Sequence, residues 1–494
     1  MICDLRTPVG TAYFAIVVCV GTAGAVVHAQ GAATIAFNDR TVLMGADAAT
    51  SGTLKAIDMR AGKVGWVESW SSSDDSLTWK PRVQQSGDYE IAAILESSGK
   101  DCRLRILVDQ QSAETECGEH GWTRAHFGTM HLNAGEHTIK VTSIGAKPPA
   151  KFFSLEFVRP QTSKELAAAG RRQMADTSWM VSAEYGLMFH WTSQSKPEHG
   201  PPLSYCDAVR SFDADRFADA VAETGAGFIV FTTSHAEFYF PGPNPVIDEV
   251  LPGRTCPRDL VADLVRALGR HNIRLELYFH PGHDDAPWWE RTHFNDDKRA
   301  YFQLWRRIIA QIGKQYGAGL AGFWFDDGAF TYYPFNPSWQ EMTAAARTGN
   351  PNRVIVYNSW ILPKLNDFYD VYGGENAFWE SQYEELVYLP VGGTGRFTGG
   401  PQEGLQAEML ALLNDDWGHF KVDTPIGPPR ITADKLIEKL RDAISRKEVL
   451  VLDAEVYQDG TMSPATLQLL RTVRNEMRPS GPQSAGRAAT GKSH

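Results

Sequence analysis

The sequence predicts an α/β protein in which a (β/α)8 TIM barrel follows an all-β sandwich of the jelly-roll type. Before residue 160, strand-like runs are separated by turn residues about every 8–12 residues, a spacing typical of sandwiches. After residue 185, eight apolar runs alternate with amphipathic helical segments, as in a barrel of parallel strands. Polar residues end nearly every one of these eight runs.

Composition limits the possible partners. The 494 residues include 48 Lys and Arg against 59 Asp and Glu, which gives a formal net charge of −11. This acidity, with no run of basic residues, argues against a nucleic-acid partner, which needs positive charge to displace counterions. The chain is 43% hydrophobic, enough for more than one core, and its 14 Trp and 16 Tyr could also form platforms for sugars.

The N-terminus has the pattern of a secretory signal peptide. An uncharged apolar run from Ala12 to Val27 follows Arg6, and small residues at Val27 and Ala29 suit cleavage before Gln30. The alternative is an uncleaved anchor, but the run is shorter than the roughly 20 residues that span a bilayer. We therefore expect residues 1–29 to be removed and the mature protein to be secreted or periplasmic, without a membrane span.

Four cysteines remain after the predicted cleavage: Cys102, Cys117, Cys206 and Cys256. An oxidising compartment favours disulfides, and four cysteines allow three pairings. Cys102 with Cys117 is favoured because both lie in one small module, and free buried thiols are the alternative. No Cys-x-x-Cys pair occurs, so the sequence does not predict a cysteine-based zinc site.

The segments follow from changes in pattern along the chain. Residues 30–160 are the predicted sandwich, in which Trp66, Trp70, Trp79 and Trp122 are either core or sugar platforms. An Ala-rich helical linker is expected over 161–184, the barrel over 185–478, and a disordered tail over 479–494. The predicted barrel strands lie in YGLMFHW, GAGFIVFTTSH, IRLELYFHPGH, LAGFWFDDG, RVIVYNSW, DFYDVYGGE, EMLALLNDDWGH and EVLVLDAEV.

The ends of these strands carry the candidate site. In a TIM barrel the C-terminal strand ends share one mouth, where the chemistry takes place. Polar residues scattered over a surface would not fall at the same phase of each repeat. The residues predicted at this mouth are His190, Trp191, His235, His280, Asp326, Asn358, Glu375, Trp417 and His419.

The most specific element is Gly322 to Gly328, where an apolar strand runs directly into two acids. Asp326 is the predicted nucleophile for a sugar, with Trp324 on the same face because strand side chains alternate. Asp327 points the other way and is expected to be structural. Glycoside hydrolysis needs a second carboxyl, ~5–5.5 Å away for retention or ~6.5–9.5 Å for inversion. Glu375 is the first choice for it, and its rivals are Glu380, Glu384 and Glu385.

Residues 185–460 resemble family 29 glycoside hydrolases, the exported α-L-fucosidases. The resemblance rests on Gly186-Leu187-Met188-Phe189-His190-Trp191, Phe212-Asp213-Ala214, Thr224-Gly225-Ala226, Trp324-Phe325-Asp326 and Asn414-Asp415-Asp416-Trp417-Gly418-His419. It implies that Asp326 is the nucleophile of a retaining mechanism, and that His190, His235 and Trp324 contact fucose. In residues 30–160, the order of the motifs W…G-x-Y…V-D…W-x-x…L-x-x-G-x-H-x-I-x-V…F-x-L similarly resembles the carbohydrate-binding-type jelly rolls attached to secreted glycosidases.

The chain departs from the family pattern after its second strand. The family has Lys-His-His-Asp-Gly-Phe where this chain has Ser234-His235-Ala236-Glu237-Phe238, so one histidine is replaced and the acid is one methylene longer. The family's Glu-Trp-Tyr segment is not visible either. The resemblance therefore implies a divergent branch, in which recognition of the sugar hydroxyls is altered or the glycone is a different one.

Two other functions are compatible with the sequence. A metal-dependent hydrolase is suggested by His280, His283, Asp284 and Asp285, although His-x-x-His on a loop has no fixed ligand geometry. A non-catalytic sugar-binding protein is suggested by the altered motif after the second strand.

The interpretation that we carry forward is an exported glycoside hydrolase acting on α-L-fucosides or a related α-linked sugar, with an oligosaccharide or glycoconjugate substrate and no metal or other cofactor. His190, His235, His280 and His419 would bond sugar hydroxyls, and Trp191, Trp324 and Trp417 would form an apolar wall. Glu237 and Asn358 complete the predicted substrate contacts.

Overall fold

In the computed structural model of the protein, the described residues are 33–59, 64–72, 74–282, 285–294, 298–326, 338–358, 363–364, 366–374, 393–398 and 402–478. The predicted signal peptide over 1–29 and the predicted tail over 479–494 lie outside these residues. Among the described residues, none of the helices combines the length and the apolar character that crossing a membrane requires.

The N-terminal part is built from β-strands that pair almost entirely antiparallel; β1 and β7 are a parallel exception. A five-stranded sheet has the order β10-β9-β13-β6-β3, and a larger sheet has the order β11-β8-β14-β5-β4, with β2 also on β14. The strands are β1 Thr34–Ile35, β2 Thr41–Met44, β3 Ala49–Ser51, β4 Lys55–Met59, β5 Val64–Glu68, β6 Ser76–Trp79, β7 Arg82–Val83, β8 Gly87–Ser97, β9 Arg103–Val108, β10 Gln111–Glu116, β11 Gly121–Leu132, β12 Gly135–Glu136, β13 Ile139–Ser143 and β14 Lys151–Val158.

The core of this sandwich follows from alternation along the strands. In β9, Leu104, Ile106 and Val108 are buried while the residues between them are exposed. They share one apolar cluster with Leu95 and Phe152 of the larger sheet, so the two inner faces bury each other. Because side chains alternate along a strand, one face of each sheet packs in the core and the other face lies outside it.

The four sandwich tryptophans divide into two pairs. Trp70 and Trp79 are buried in the sandwich core, and the Trp79 indole donates to the Met44 carbonyl at 2.8 Å. Trp66 and Trp122 are only half-buried, and their ring centroids are 6.0 Å apart. The Lys151 ammonium lies over the Trp66 ring at 4.6 Å, so this face already carries a partner from the sandwich itself.

A buried charge cluster joins the sandwich to the barrel. Glu156 of β14 is buried and pairs with Arg124 at 2.9 Å and with Arg40 at 3.3 Å. Arg40 also reaches Asp367 at 3.5 Å, and Arg124 donates to the Lys364 carbonyl. Since Lys364 and Asp367 belong to the barrel part of the chain, the two arginines connect the domains through one shared carboxylate.

The second part is a closed barrel of eight parallel strands in sequence order, which confirms the predicted fold class. Its strands are β15 Tyr185–Phe189, β16 Phe228–Thr232, β17 Arg274–Phe279, β18 Leu320–Phe325, β19 Val354–Tyr357, β20 Val371–Gly374, β21 Gln406–Leu412 and β22 Val449–Asp453. The helices are α1 Pro160–Gln173, α2 Ser178–Ala183, α3 Tyr205–Ser211, α4 Ala214–Thr224, α5 Pro245–Val250, α6 Leu260–Gly269, α7 Ala286–Thr292, α8 Lys298–Tyr316, α9 Trp339–Ala346, α10 Ala433–Ser445 and α11 Pro464–Met477.

The barrel strands are buried on both faces, which explains their nearly continuous apolar sequences. Met188, Val230, Val356 and Val451 belong to a cluster inside the barrel, whereas alternate residues such as Leu187 pack in the layer under the helices. Met180 of α2 belongs to the inner cluster too. The segment predicted as a linker helix therefore consists of two helices, and the second packs against the barrel interior.

Helix ends and disulfides fix the outer layer. The Asp213 side chain accepts the Arg216 amide at 3.0 Å and so caps α4, which gives the Phe-Asp-Ala motif a structural role. Two disulfides are present, Cys102–Cys117 in the sandwich and Cys206–Cys256 in the barrel domain. The pairing that the sequence left open is thereby settled, and none of these four cysteines is a free thiol.

Candidate active site

The carboxyl ends of the barrel strands bring most of the predicted site residues to one mouth. His190 follows β15, His235 lies just beyond β16, His280 follows β17, Asp326 follows β18 and Asn358 follows β19. The His235 ring centroid is 5.5 Å from that of His190 and 5.6 Å from that of His280. Three histidines from three neighbouring strands therefore form one cluster.

Asp326 is held at both of its carboxyl oxygens. The Tyr278 hydroxyl donates to Oδ2 at 2.5 Å, and the Asn358 amide donates to Oδ1 at 2.7 Å. The Asp326 backbone amide also donates to the Phe279 carbonyl at 2.9 Å. Two side-chain donors from adjacent strands fix the plane of this carboxyl group, as a positioned nucleophile requires.

Tyr278 was missed by sequence reasoning, which considered only the strand tips. It lies two residues before His280, so it shares that residue's face, and strand register places it beside Trp324. Its ring stacks on Trp324 with centroids 5.3 Å apart and planes 11° apart. Because strand side chains alternate between two faces, the residue two positions before His280 could have been identified from the sequence as a neighbour of the site.

His190 is oriented by a second residue that was missed, Asp453 at the end of β22. His190 Nδ1 lies 2.8 Å from Asp453 Oδ2, so Nδ1 carries the proton and Nε2 is the nitrogen that can bond a sugar hydroxyl. Burial raises the pKa of the Asp453 carboxyl to about 6, although His190 opposes the rise. The His190 ring also contacts Trp417, with centroids 5.2 Å apart.

His280 is completely buried and has its own fixed tautomer. Its Nδ1 accepts the Gly282 amide at 3.0 Å, so a neutral ring carries its proton on Nε2. The Ser234 hydroxyl donates to the His280 carbonyl at 2.8 Å. Ser234, in the loop after β16, thus helps to hold His280, which follows β17.

A second carboxylate–histidine pair involves Glu455, two residues after the end of β22. Glu455 Oε2 is 3.5 Å from His419 Nδ1, and Glu455 Oε1 accepts the Asp416 amide at 3.1 Å. Burial raises the pKa of Glu455 to about 7 and lowers the pKa of His419. Glu455 was not singled out from the sequence, although it shares the face of Asp453 by alternation.

Trp191 and Glu237 each have a hydrogen-bond partner within the protein. Trp191 is buried among Tyr205, Phe212 and Phe231, and its indole donates to the Gln458 carbonyl at 2.9 Å. It packs in the layer between strands and helices, on the opposite side of the chain from His190. Glu237 accepts the Ser193 hydroxyl at 2.7 Å and so links the loops that follow β15 and β16.

The predicted second carboxyl, Glu375, lies outside the described residues, as do Asp327, Glu380, Glu384 and Glu385. The same is true of His283 and Asp284 from the suggested metal cluster. Asp285 is described: it pairs with Arg254 at 2.7 Å and accepts the Trp288 amide at 3.2 Å as the cap of α7. Its oxygens are thus engaged in holding the loop after β17.

Comparison with known proteins places the chain in a family. Residues 207–481, more than half of the chain, match the sequence model of the family described as Alpha-L-fucosidase.

The chain belongs to the alpha-L-fucosidase family.

Individual relatives are distant. Tissue alpha-L-fucosidase of Homo sapiens is 27% identical over 193 residues, which cover 31% of this chain and 41% of the relative. The Bos taurus enzyme of the same name is 28% identical over 155 residues, which cover 25% and 32%. The chain thus matches less than half the length of each of these two relatives. The family resemblance predicted from the motifs is confirmed, and it is a divergent one.

Solved structures are also only distantly similar to this chain. Alpha-L-fucosidase isoenzyme 1 from Paenibacillus thiaminolyticus has 16% identity and a TM-score of 0.45, covering 63% of this chain and 77% of its own. An endo-fucoidan hydrolase from glycoside hydrolase family 107 has 15% identity and a TM-score of 0.48, covering 63% and 54%. The fold of this chain is established by its own strand pairing.

The structure explains why two fucosidase motifs contain glycine. A Cβ on Gly418 would lie 2.7 Å from the His190 carbonyl oxygen, so only glycine lets this loop approach β15 and set Trp417 against His190. A Cβ on Gly186 would lie 2.4 Å from the Phe228 ring. Gly418 therefore allows close packing at the mouth, and Gly186 allows close packing near the opposite end of the barrel, where β15 and β16 begin.

Proposed function

We propose that this chain is a glycoside hydrolase that cleaves α-L-fucosides or a related α-linked sugar with retention of configuration. The observation that carries the proposal is Asp326, fixed by Tyr278 and Asn358 beside the histidine cluster in the Trp-x-Asp motif of the family. A carboxylate in that setting can attack an anomeric carbon while imidazoles bond the ring hydroxyls.

The reaction would proceed in two displacements. Asp326 forms a bond to the anomeric carbon while a carboxylic acid gives its proton to the departing glycosidic oxygen. The same acid, now a carboxylate, then removes a proton from water, whose oxygen attacks the anomeric carbon and releases Asp326. His190, positioned by Asp453, would bond a hydroxyl of the glycone through Nε2. No step requires a cofactor.

Glu375 remains our first choice for the acid, on the strength of its position after β20. Glu455 is the alternative within the described residues, because burial raises its pKa to about 7 and a general acid must be protonated near neutral pH. Loss of the acid slows the first step least when the leaving group is good. Glu375→Gln and Glu455→Gln should therefore be compared on aryl fucosides of graded leaving-group pKa, and the true acid is the one whose loss grows with that pKa.

The first experiment is a screen of aryl glycosides with the purified chain and with Asp326→Ala. We expect turnover on α-L-fucoside or a stereochemically related sugar, and a fall of about 10³-fold or more in Asp326→Ala with an unchanged thermal unfolding temperature. Trapping with a fluorinated fucoside should label the peptide containing Asp326. Near-wild-type turnover in Asp326→Ala would remove the nucleophile assignment.

The alternatives predict different results. A non-catalytic sugar-binding protein would bind the same sugars without turnover, and a metal-dependent hydrolase would lose its activity to a chelator. NMR of the first product anomer distinguishes retention from inversion.

We also propose that the protein is exported. The uncharged apolar segment before Gln30 and the two disulfides both suit an oxidising compartment. The N-terminal sequence of the mature protein, isolated from culture medium or periplasm, should begin at Gln30. Recovery of the protein in the cytoplasm with Met1 intact would contradict export.

A further inference from the structure

Two carboxyl side chains lie inside the barrel below the mouth, Glu276 on β17 and Glu408 on β21. Both are almost fully buried. Burial raises the pKa of Glu408 to about 7 and that of Glu276 well above its ordinary value, to which the neighbouring Glu408 also contributes. Acids in an apolar barrel interior are costly, so their presence needs a reason.

Glu408 has a specific partner that Glu276 lacks. The Trp324 indole donates from Nε1 to Glu408 Oε1 at 3.0 Å. Neither oxygen of Glu276 has a hydrogen-bond partner among the described residues. The two acids therefore share an environment but differ in contact with the candidate site, which makes Glu276 a matched control.

The contact continues from Trp324 to the nucleophile. The Trp324 ring stacks on Tyr278, with planes 11° apart, and the Tyr278 hydroxyl donates to Asp326. Glu408, Trp324, Tyr278 and Asp326 thus form an unbroken series of contacts that crosses the barrel from β21 to β18 and β17.

The surroundings leave little freedom for this series. Gly373 pairs directly with Glu408 across β20 and β21. A Cβ at Gly373 would lie 3.2 Å from Glu408 Oε1 and 3.7 Å from Trp324 Cζ2. An indole can turn over within its slot and present its N–H elsewhere, and the bond to Glu408 selects one of these orientations.

We propose that Glu408 is a positioning residue that fixes the orientation of the Trp324 ring and, through its stack on Tyr278, the attack geometry of Asp326. The proposal rests on the proposed function. Glu408 does not touch the substrate, and its effect is on the geometry of the reacting carboxylate. Such geometry affects the chemical step more than the binding of the sugar.

The test compares substitutions that keep or remove the acceptor. Glu408→Leu should lower kcat on an aryl α-L-fucoside about tenfold or more with KM changed less than about threefold, since small displacements of reacting groups cost large factors. Glu408→Gln keeps an acceptor oxygen and should stay within about threefold of wild-type kcat. Glu276→Leu, which loses an equally buried acid, should leave kcat near wild type in the folded fraction.

A double-substitution cycle covers the case in which Glu408→Leu folds poorly. Trp324→Phe keeps an aromatic ring and removes the N–H that bonds to Glu408. Glu408→Met, which is close to Glu in size and lacks the carboxylate acceptor, should lower kcat by itself and cause no further loss when added to Trp324→Phe. The proposal would be overturned if the losses in kcat caused by the Glu408 and Trp324 substitutions multiplied in the double variant. It would also be overturned by equal losses of kcat in Glu408→Leu and Glu276→Leu, or by wild-type kcat in folded Glu408→Leu. A wild-type chain without turnover would reject the proposed function and the positioning role with it, whereas the outcomes just named reject the positioning role alone.

Discussion

At the residue scale, the main side chains of the candidate site are held in place by hydrogen bonds with neighbouring side chains. Asp326 is held by Tyr278 and Asn358, and His190 is held by Asp453. In the sequence, the candidate reactive groups are visible as polar residues that follow apolar strands. The residues that orient them lie deeper in the same strands or on a strand across the barrel, where sequence distance gives no indication of contact.

Tyr278→Phe tests this orientation at a single atom. The phenyl ring keeps the stack on Trp324 while Asp326 loses one of its two side-chain donors, so we expect kcat to fall by about 10- to 100-fold with little change in stability. Steady-state kinetics on an aryl α-L-fucoside measure this effect. Tyr357→Phe is the control, since its hydroxyl lies 3.2 Å from Thr343 in the layer under the helices. Equal losses in the two variants would contradict the assignment.

At the element scale, the loops that follow the strands decide the shape of the mouth. The loop after β21 passes so close to the residue after β15 that a side chain at position 418 would collide with the His190 carbonyl oxygen. The sequence shows the family motif around Trp417, but the reason for its glycine is a contact between the segments that follow the first and seventh strands of the barrel. Trp191 shows the reverse: it is adjacent to His190 in the chain and packs on the other side of the strand.

Gly418→Ala should displace this loop and with it Trp417. We expect a lower kcat/KM and a lower thermal unfolding temperature, because the added Cβ would meet backbone oxygen at 2.7 Å. Gly269→Ala is the matched control: this helical glycine has nothing within 4 Å of a Cβ, so the substitution should leave activity unchanged and raise stability by up to about 1 kcal/mol. Thermal unfolding and kinetics of both variants settle the comparison.

At the scale of the whole molecule, buried charge connects the two domains and sets the response to pH. Glu156 is surrounded by Arg40 and Arg124, which in turn reach Asp367 and the carbonyl of Lys364. This cluster joins residues that the sequence places in different segments. No motif marked it, because its members are separated along the chain and are of types that are common on surfaces.

Glu156→Gln should weaken the connection between the domains. Removing one partner from a buried ion pair typically costs about 3–5 kcal/mol, since the remaining charges stay buried without compensation. The control is Glu114→Gln, whose partners Arg103 and Arg105 are about half exposed, and which should cost less than about 1 kcal/mol. Chemical denaturation compares the two, and equal effects would show that the cluster does not stabilise the molecule.

The buried acids predict that stability falls as pH rises through neutrality. Burial raises the pKa values of Glu408 and Glu455 to about 7, so the folded chain keeps protons that the unfolded chain releases above an ordinary carboxyl pKa of about 4.3. This contribution is complete below that ordinary value and is lost as pH rises through about 7. Thermal unfolding temperatures should therefore decline from about pH 5 to about pH 8, and Glu408→Gln should reduce the decline. A temperature that rises over this window would contradict the assignment.

The sequence by itself determined the succession of β-sandwich and barrel and the family to which the chain belongs. It could do so because strand and helix periodicity, strand-end polarity and the Trp-x-Asp motif are local patterns. Only the tertiary structure decided that Tyr278 and Asn358 hold Asp326, that Asp453 sets the His190 tautomer and that Glu408 holds Trp324. These contacts form between strands because closure of the barrel brings together residues separated by tens to hundreds of positions, and nothing in the local pattern specifies which of them will meet.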